Sequence, residues 1–248
     1  MRIAIISDMH GNVNAMKATL ADMEAVGYDA IVCLGDVTAV GPQPQETLNL
    51  VKDLECPMIM GNHDQWLLNQ DDLLLVPENN RVDGYLFRVI RNIDSWCRAQ
   101  LTEAELDYIS TFKPWHLMDT GDTEILFYHG SPRANTDLVL ATTDTDMVEL
   151  MLSGHNAPVM VGGHSHLQMV RRHYEKLLIN VGSVGAPFYY TRKGEIRNPW
   201  WAEYGIITID GEHISVDLRR VFYDVEDTVK RLRESGMPHV DWYLDARD

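Results

Sequence analysis

Basic charge is scarce in this 248-residue sequence: 21 lysines and arginines stand against 37 aspartates and glutamates, a formal net charge of −16 at pH 7. Holding long DNA or RNA by neutralising its phosphates needs a basic surface, so no long nucleic acid is expected as a partner. Cysteine is scarce too. Cys33, Cys56 and Cys97 are odd in number and include no C-x-x-C pair. That pattern excludes a disulfide framework and fits a reducing, cytoplasmic setting. Long apolar runs are missing: none approaches the roughly 20 residues that span a bilayer. Asp8 interrupts the opening Arg2–Ile6 run before the apolar stretch of a secretory signal could form. No membrane partner is expected. Low-complexity linkers and internal repeats are absent as well. With a 45% hydrophobic fraction, the chain is expected to fold as one globular domain over residues 1–248.

Short apolar runs are what the sequence does have. Ile3–Ile6, Ala30–Leu34 and Met58–Met60 read as strands. Val13, Met16, Leu20 and Met23 recur at helical spacing between the first two, with Gly27 as a stop. Leu48, Val51 and Leu54 suggest a helix between the second and third. This β-α-β-α-β order predicts parallel strands joined by right-handed crossovers. From about residue 66 to 115 helical patterns follow one another without a strand, with Leu86, Val89, Ile90, Ile93 and Trp96 in one and the capping box Thr102-x-x-Glu105 opening another. They read either as a small inserted helical cap or as a cover for one sheet face. Strands are expected again at Glu124–Phe127, Val159–Val161, Gln168–His173, Leu177–Val181, Tyr204–Ile209 and His213–Val221, and a last helix at about 225–235. The fold class expected is an α/β sandwich, two packed mixed sheets flanked by helices, the later strands giving a second, largely antiparallel sheet.

Five of the apolar runs end in groups that bind metals: Asp8-Met9-His10, Gly35-Asp36, Gly61-Asn62-His63-Asp64, Tyr128-His129-Gly130 and Gly163-His164-Ser165-His166. In open α/β sheets the strand C-termini line one edge, where ligands bind. Imidazoles and carboxylates gathered there suit two divalent cations. Asp8 and His10, like His164 and His166, are two residues apart on extended segments and can point to one side. Each piece alone is weak, because a lone histidine is more often a hydrogen-bonded core or surface residue. His116, His155, His173, His213 and His239 keep that plain reading. Two bound cations would also make a locally positive pocket in an acidic protein, so small phosphorylated molecules stay compatible with the overall charge.

The ordered set D-x-H, GD, GNH[DE], H and GH-x-H resembles the signature of the calcineurin-like metallophosphoesterases, over roughly residues 1–187. Gly35–Pro42, His129-Gly130-Ser131-Pro132 and Asn180–Gly185 are similar to the small bacterial phosphodiesterase branch. The G-D-x-x-D-R-G of the protein Ser/Thr phosphatases is absent; Val37-Thr38-Ala39-Val40 stands in its place, which argues against phosphoprotein substrates. The resemblance implies one metal held by Asp8, His10, Asp36 and His166, and a second held by Asp36, Asn62, His129 and His164, the ions being Mn, Fe, Zn or Mg. It implies that His63 contacts phosphate and protonates the leaving oxygen. Asp64 either orients His63 or is a helix-capping or surface carboxylate. Two cations about 3.5–4 Å apart would polarise phosphoryl oxygens and lower the pKa of a bridging water. An imidazole, with its ordinary pKa of about 6.5, suits a proton donor on the leaving side.

Selection among substrates is expected outside the metal ligands. Phe188, Tyr189, Tyr190, Arg192 and Lys193, after the Gly182–Gly185 loop, could stack a base or bind a distal phosphate, and so could Arg133, for which a structural salt bridge is slightly favoured. Trp200-Trp201 and Trp242-Tyr243-Leu244 read as packing or a subunit interface. The expected activity is metal-dependent hydrolysis of a small phosphate ester, mono- or diester. The alternative is a catalytically silent scaffold of the same fold. A metallo-β-lactamase-type hydrolase is disfavoured, because Leu167-Gln168 follows His164-x-His166.

Overall fold

The computed structural model describes residues 1–69, 84–245 and 247. Strand β1 (Arg2–Ile6), helix α1 (Val13–Val26) and strand β2 (Ala30–Cys33) open the chain, followed by helices α2 (Pro44–Lys52), α3 (Asn62–Leu68), α4 (Gly84–Ala99) and α5 (Glu103–Ser110). Strands β3 (Trp115–Asp119) and β4 (Glu124–Tyr128), helix α6 (Thr145–Met151), and strands β5 (Val159–Gly162), β6 (Met169–His173) and β7 (Lys176–Asn180) come next. A short hairpin of β8 (Tyr189–Tyr190) and β9 (Ile196–Arg197) precedes the long strands β10 (Trp201–Asp210) and β11 (His213–Phe222). Helices α7 (Val225–Glu234) and α8 (Val240–Asp245) end the described chain. The expected stretch over residues 70–83 lies outside the described residues. Among the described residues, no helix is long and apolar enough to cross a membrane.

The two main sheets are mixed, ordered β11-β10-β1-β2 and β3-β4-β5-β7-β6. β1 runs parallel to the edge strand β2, and β4, β5 and β7 are mutually parallel, while β11, β3 and β6 close the other edges antiparallel. Period-2 alternation builds the layers. Ile3 and Ile5 of β1 pack with Phe127, Val161 and Ile207 between the sheets, whereas Ala4 and Ile6 face a second cluster with α1, α2, α4 and α5. On the far side, Leu126, Met160 and Leu178 meet Val148 and Met151 of α6. The result is a helix–sheet–sheet–helix sandwich. Its core is tightly enclosed, so truncating a side chain such as fully buried Phe127 to alanine should cost about 3–5 kcal/mol.

Two expectations are corrected. Met58–Met60 runs beside β2 but pairs only through isolated bridges, Cys33 with Met58 and Ile59 with Lys113. The ladder cannot extend, because Pro57 offers no N–H and helix α3 begins directly after Gly61. The later strands also do not form one antiparallel sheet. β6 and β7 join β4 and β5, whereas β10 pairs with β1. β1 is buried on both faces and has β2 on one edge only, so its other edge needs a strand buried on both sides; β10, buried from Ala202 to Ile207, meets that need. Four elements lacked a usable pattern: β3, an edge strand, the two-residue strands β8 and β9, and α8.

Candidate metal centre

The C-terminal ends of β1, β2, β4 and β5 meet along one edge, and cross-strand hydrogen bonds stitch their loops together. Asp8 N–H donates to Gly35 O at 2.9 Å, His10 N–H to Asp36 O at 3.1 Å, and Gly163 N–H to His129 O at 2.8 Å. Five of the nine non-glycine residues with positive φ among the described residues are Asp8, His10, Asp36, His164 and His166. Each left-handed residue costs roughly 1–2 kcal/mol, and such strain concentrates at functional sites. The folded scaffold therefore holds these five side chains in place against local preference.

Two groups of ligand atoms result, Asp8 with His10 and His166, and Asp36 with His129 and His164; within each group the atoms lie within 4.8 Å of one another. They divide along the same line as the two ligand sets inferred above. Asn62, at the start of α3, adds its Oδ1 at 3.0 Å from His129 Nε2. Three imidazoles are oriented by backbone carbonyls. His10 Nδ1–H donates to Ala39 O at 2.9 Å, His129 Nδ1–H to Leu34 O at 2.7 Å, and His166 Nδ1–H to Ala186 O at 2.6 Å. This outer support fixes the tautomer and turns each Nε2 lone pair inward.

Those lone pairs then face other acceptors. His10 Nε2 lies 3.2 Å from His166 Nε2. Asp8 Oδ1, buried and without a hydrogen-bond partner, lies 3.2 Å from His166 Nε2 and 3.8 Å from Nε2 of both His10 and His129. With its Nδ1–H committed to a carbonyl, a neutral ring has no Nε2 proton for these contacts, so each must be met by a second proton or by a cation. Cations between the groups would satisfy all of them, so the donor set fits divalent metals of the Mn, Fe, Zn or Mg kind.

Without cations, protons and charge pairing take up part of that role. Burial disfavours protonation of His129, but Asp36 and Asp8 outweigh it and push its pKa up to about 9. Burial would raise the Asp8 and Asp36 carboxyls, yet His166 and His129 hold Asp8, and His129 and His63 hold Asp36, below the usual carboxylate range. Burial together with neighbouring His129 lowers His164 to about 3, and burial together with His166 lowers His10 to about 4. Loading metal onto the cluster should therefore release protons.

His63, on the first turn of α3, stands beside this cluster with its ring 5.5 Å from that of His10 and edge-on to Trp66 at 4.6 Å. Its Nδ1 partner is Asp94 Oδ2 of α4, at 2.8 Å. Burial opposes protonation of His63, but Asp94 and Asp36 overcome it and push its pKa up to about 9. Asp64 plays a different part from orienting His63. Its carboxylate accepts the backbone N–H groups of Asp36 at 2.7 Å, Val37 at 3.1 Å and Gly61 at 3.1 Å, tying the second and third motifs together. Of the two roles open to it from sequence, the helix-capping one matches this geometry.

The outer candidates separate. Arg133 lines a cleft of about 510 Å³ with Met60, Gln65, Phe112 and Pro114, but its guanidinium is held bidentately by Asp137 at 2.9 and 2.6 Å. That is the structural salt bridge, not a free phosphate ligand. Tyr190 reaches toward the centre only through Phe188, whose ring lies 5.9 Å from His166 and 5.5 Å from Tyr190. Tyr189 lines a different groove, with Trp200, Trp201 and Phe222, and Arg192 sits in the hairpin turn. Asp94 is the residue that sequence reasoning missed.

Residues 1–197 match the calcineurin-like phosphoesterase superfamily domain. The chain belongs to that superfamily. Among solved structures it is similar to a metallophosphoesterase from Sphaerobacter thermophilus, with 29% identity, a TM-score of 0.72 and coverage of 99% of this chain and 98% of the other. A hypothetical protein of Pyrococcus horikoshii, 18% identical, shares the fold at a TM-score of 0.76 over 98% of this chain and 97% of its own. By sequence, the chain is 25% identical to an uncharacterized protein of Methanocaldococcus jannaschii, covering 95% of this chain and 93% of that one. Superfamily membership and two triads of ligand side chains make divalent metals the expected cofactors of this calcineurin-like fold.

Proposed function

We propose that the chain hydrolyses phosphate esters of small phosphorylated or nucleotide-like molecules, as a mono- or diesterase working with two divalent cations. The observation that carries this reading is the inward-facing set of donor atoms: the Nε2 atoms of His10, His129 and His166 converge on Asp8 Oδ1, which is buried with no hydrogen-bond partner among the described residues. Asp8, His10, Asp36 and His166 would hold one cation, and Asp36, Asn62, His129 and His164 the other. When bound, such a pair polarises a phosphoryl oxygen and lowers the pKa of water at neutral pH.

The chain's own residues supply the rest. Asp36 is fixed by the His63 N–H, which donates to its Oδ1 at 2.8 Å, so ligand and proton donor are held in register by one contact. His63 gives its Nε2 proton to the leaving oxygen. The Phe188–Tyr190 pair at the rim suits a planar leaving group, and Arg192 on the same hairpin suits a distal negative charge. A silent scaffold would have no use for this proton donor.

The test is turnover of bis-p-nitrophenyl phosphate and p-nitrophenyl phosphate with Mn²⁺, Fe²⁺, Zn²⁺ and Mg²⁺ compared side by side. Activity that needs a divalent ion and disappears in Asp36→Ala is expected. A folded, metal-loaded protein inert toward a broad phosphoester panel would refute the reading.

A further inference from the structure

The mechanism above leaves the buried carboxylate of Asp94 unused. Asp94 sits in the middle of α4, its side chain 5% exposed, and its hydrogen bond is to His63 Nδ1, at 2.8 Å. Its other oxygen, Oδ1, is buried with no hydrogen-bond partner among the described residues. A carboxylate taken out of water at a cost of several kcal/mol is retained only where a partner compensates it. Here that partner is a ring at the edge of the metal centre. The helix is anchored so as to deliver it: Val89, Ile93 and Cys97 are buried, and Cys97 Sγ donates to Gly41 O at 3.5 Å, in the loop that follows Ala39, the acceptor for His10.

We propose that Asp94 is the positioning residue for His63, and that α4, through it, makes the enzyme able to expel poor leaving groups. This rests on His63 being the proton donor. By accepting the Nδ1 proton, Asp94 fixes the ring plane and commits the opposite edge, Nε2–H, to the substrate. In the step it serves, a water oxygen forms the new bond to phosphorus while the bond from phosphorus to the leaving oxygen breaks. The leaving oxygen takes the Nε2 proton, the proton lost by the water passes to solvent, and His63 is reprotonated from solvent. Asp94 stays a carboxylate throughout. Helix α4 is remote in sequence from the GNHD turn, and the fold brings its Asp94 to the histidine across 31 positions.

The experiment compares Asp94→Asn, Asp94→Glu, His63→Asn and the His63→Asn/Asp94→Asn double variant on phenyl and 2,4-dinitrophenyl esters of one phosphate class, with bound metal and melting temperature measured on each. A phenolate needs a proton to leave; a dinitrophenolate does not. Asp94→Asn is expected to lose on the order of 10- to 100-fold in kcat on the phenyl ester and little on the dinitrophenyl ester, metal content being unchanged. Asp94→Glu should recover part of that loss. The double variant should be no slower than His63→Asn, because the two residues act as one unit. Equal losses on both esters, or a double variant slower by the product of the singles, would overturn the positioning role and leave Asp94 a structural ion pair. If Asp94→Asn does not fold, the glutamate variant decides: a phenyl-ester rate equal to wild type removes the dependence on carboxylate placement. A His63→Asn variant with the same loss on both esters would instead remove the proton-donor reading itself, and the proposal with it.

Discussion

Gly61→Ala adds one methyl group where the site has no room for it. Gly61 has φ −74° and ψ 167°, extended backbone open to any residue, so backbone freedom is not what glycine provides here. Space is. A Cβ at this position would overlap Asp36 Oδ1 and the Asp36 backbone nitrogen, and come within 2.8 Å of Asp36 Cγ. Both overlapped atoms are already committed, Oδ1 to His63 N–H at 2.8 Å and the nitrogen to Asp64 Oδ2 at 2.7 Å. Relief requires moving Asp36 and weakening at least one charge-assisted hydrogen bond, at about 1.5–3 kcal/mol, or accepting overpacking of similar size. A cost of about 1.5–3 kcal/mol follows, which for a chain of this size lowers the melting temperature by roughly 3–12 °C. Because Asp36 is the carboxylate proposed to be shared, Mn²⁺ affinity read by calorimetry should fall as well, about 10- to 100-fold. Gly84→Ala is the control: it lies on α4, and among the described residues a Cβ there would meet the Arg88 side chain alone, at 3.7 Å. There the same change should be neutral or stabilising by about 0.4–1 kcal/mol. If Gly61→Ala melts and binds Mn²⁺ like wild type, the close approach of the third motif to Asp36 is not what positions that carboxylate.

Metal removal should be visible without turnover. Metal at about 100 times its dissociation constant stabilises by about 2.7 kcal/mol, so chelation should lower the melting temperature by roughly 5–10 °C, and a thermal scan unchanged by Mn²⁺ or EDTA would count against the cation cluster. A second measurement concerns pH. Hydrogen bonds from Arg219 at 2.8 and 3.2 Å, with one from Tyr204 at 2.6 Å, hold Asp22 below the usual carboxylate range against a smaller opposing effect of burial. Its folded pKa is depressed, so the stabilisation is present above the unfolded value near 3.9 and is lost as pH falls through the folded one. The pair is about a quarter exposed, 25% and 29%, and screening limits it to about 0.5–1 kcal/mol. Urea midpoints of wild type and Asp22→Asn should therefore differ at pH 7 and converge below pH 4; a constant gap would contradict the assignment.

The strand-end cluster of candidate ligands was legible because its pattern is local. Each candidate follows its apolar run within a few residues, and the sheet edge then gathers them, so sequence order alone brings Asp8, Asp36, His129 and His164 to one place. Asp64 was half legible: Asp at the third helical position is a capping signal, but Gly61 has no side chain to complete the S/T-x-x-E pattern, so the start of α3 passed unnoticed. Asp94 was not read at all, and the reason is physical. Its partner is 31 positions away, and no short-range periodicity encodes which helix will lie over the GNHD turn. Yet a trace was present. Ile90, Asp94 and Cys97 fall at i, i+4 and i+7, one helical face, which puts a carboxylate in the apolar stripe of α4. A charge in that position must be compensated from the element the stripe packs against, so a lone acid on a core-facing helix is a pointer toward the centre of the molecule. In this chain it points to His63, and the distinction between a helical cap and a sheet cover loses its force: the helix that covers the sheet also carries the carboxylate that holds the histidine.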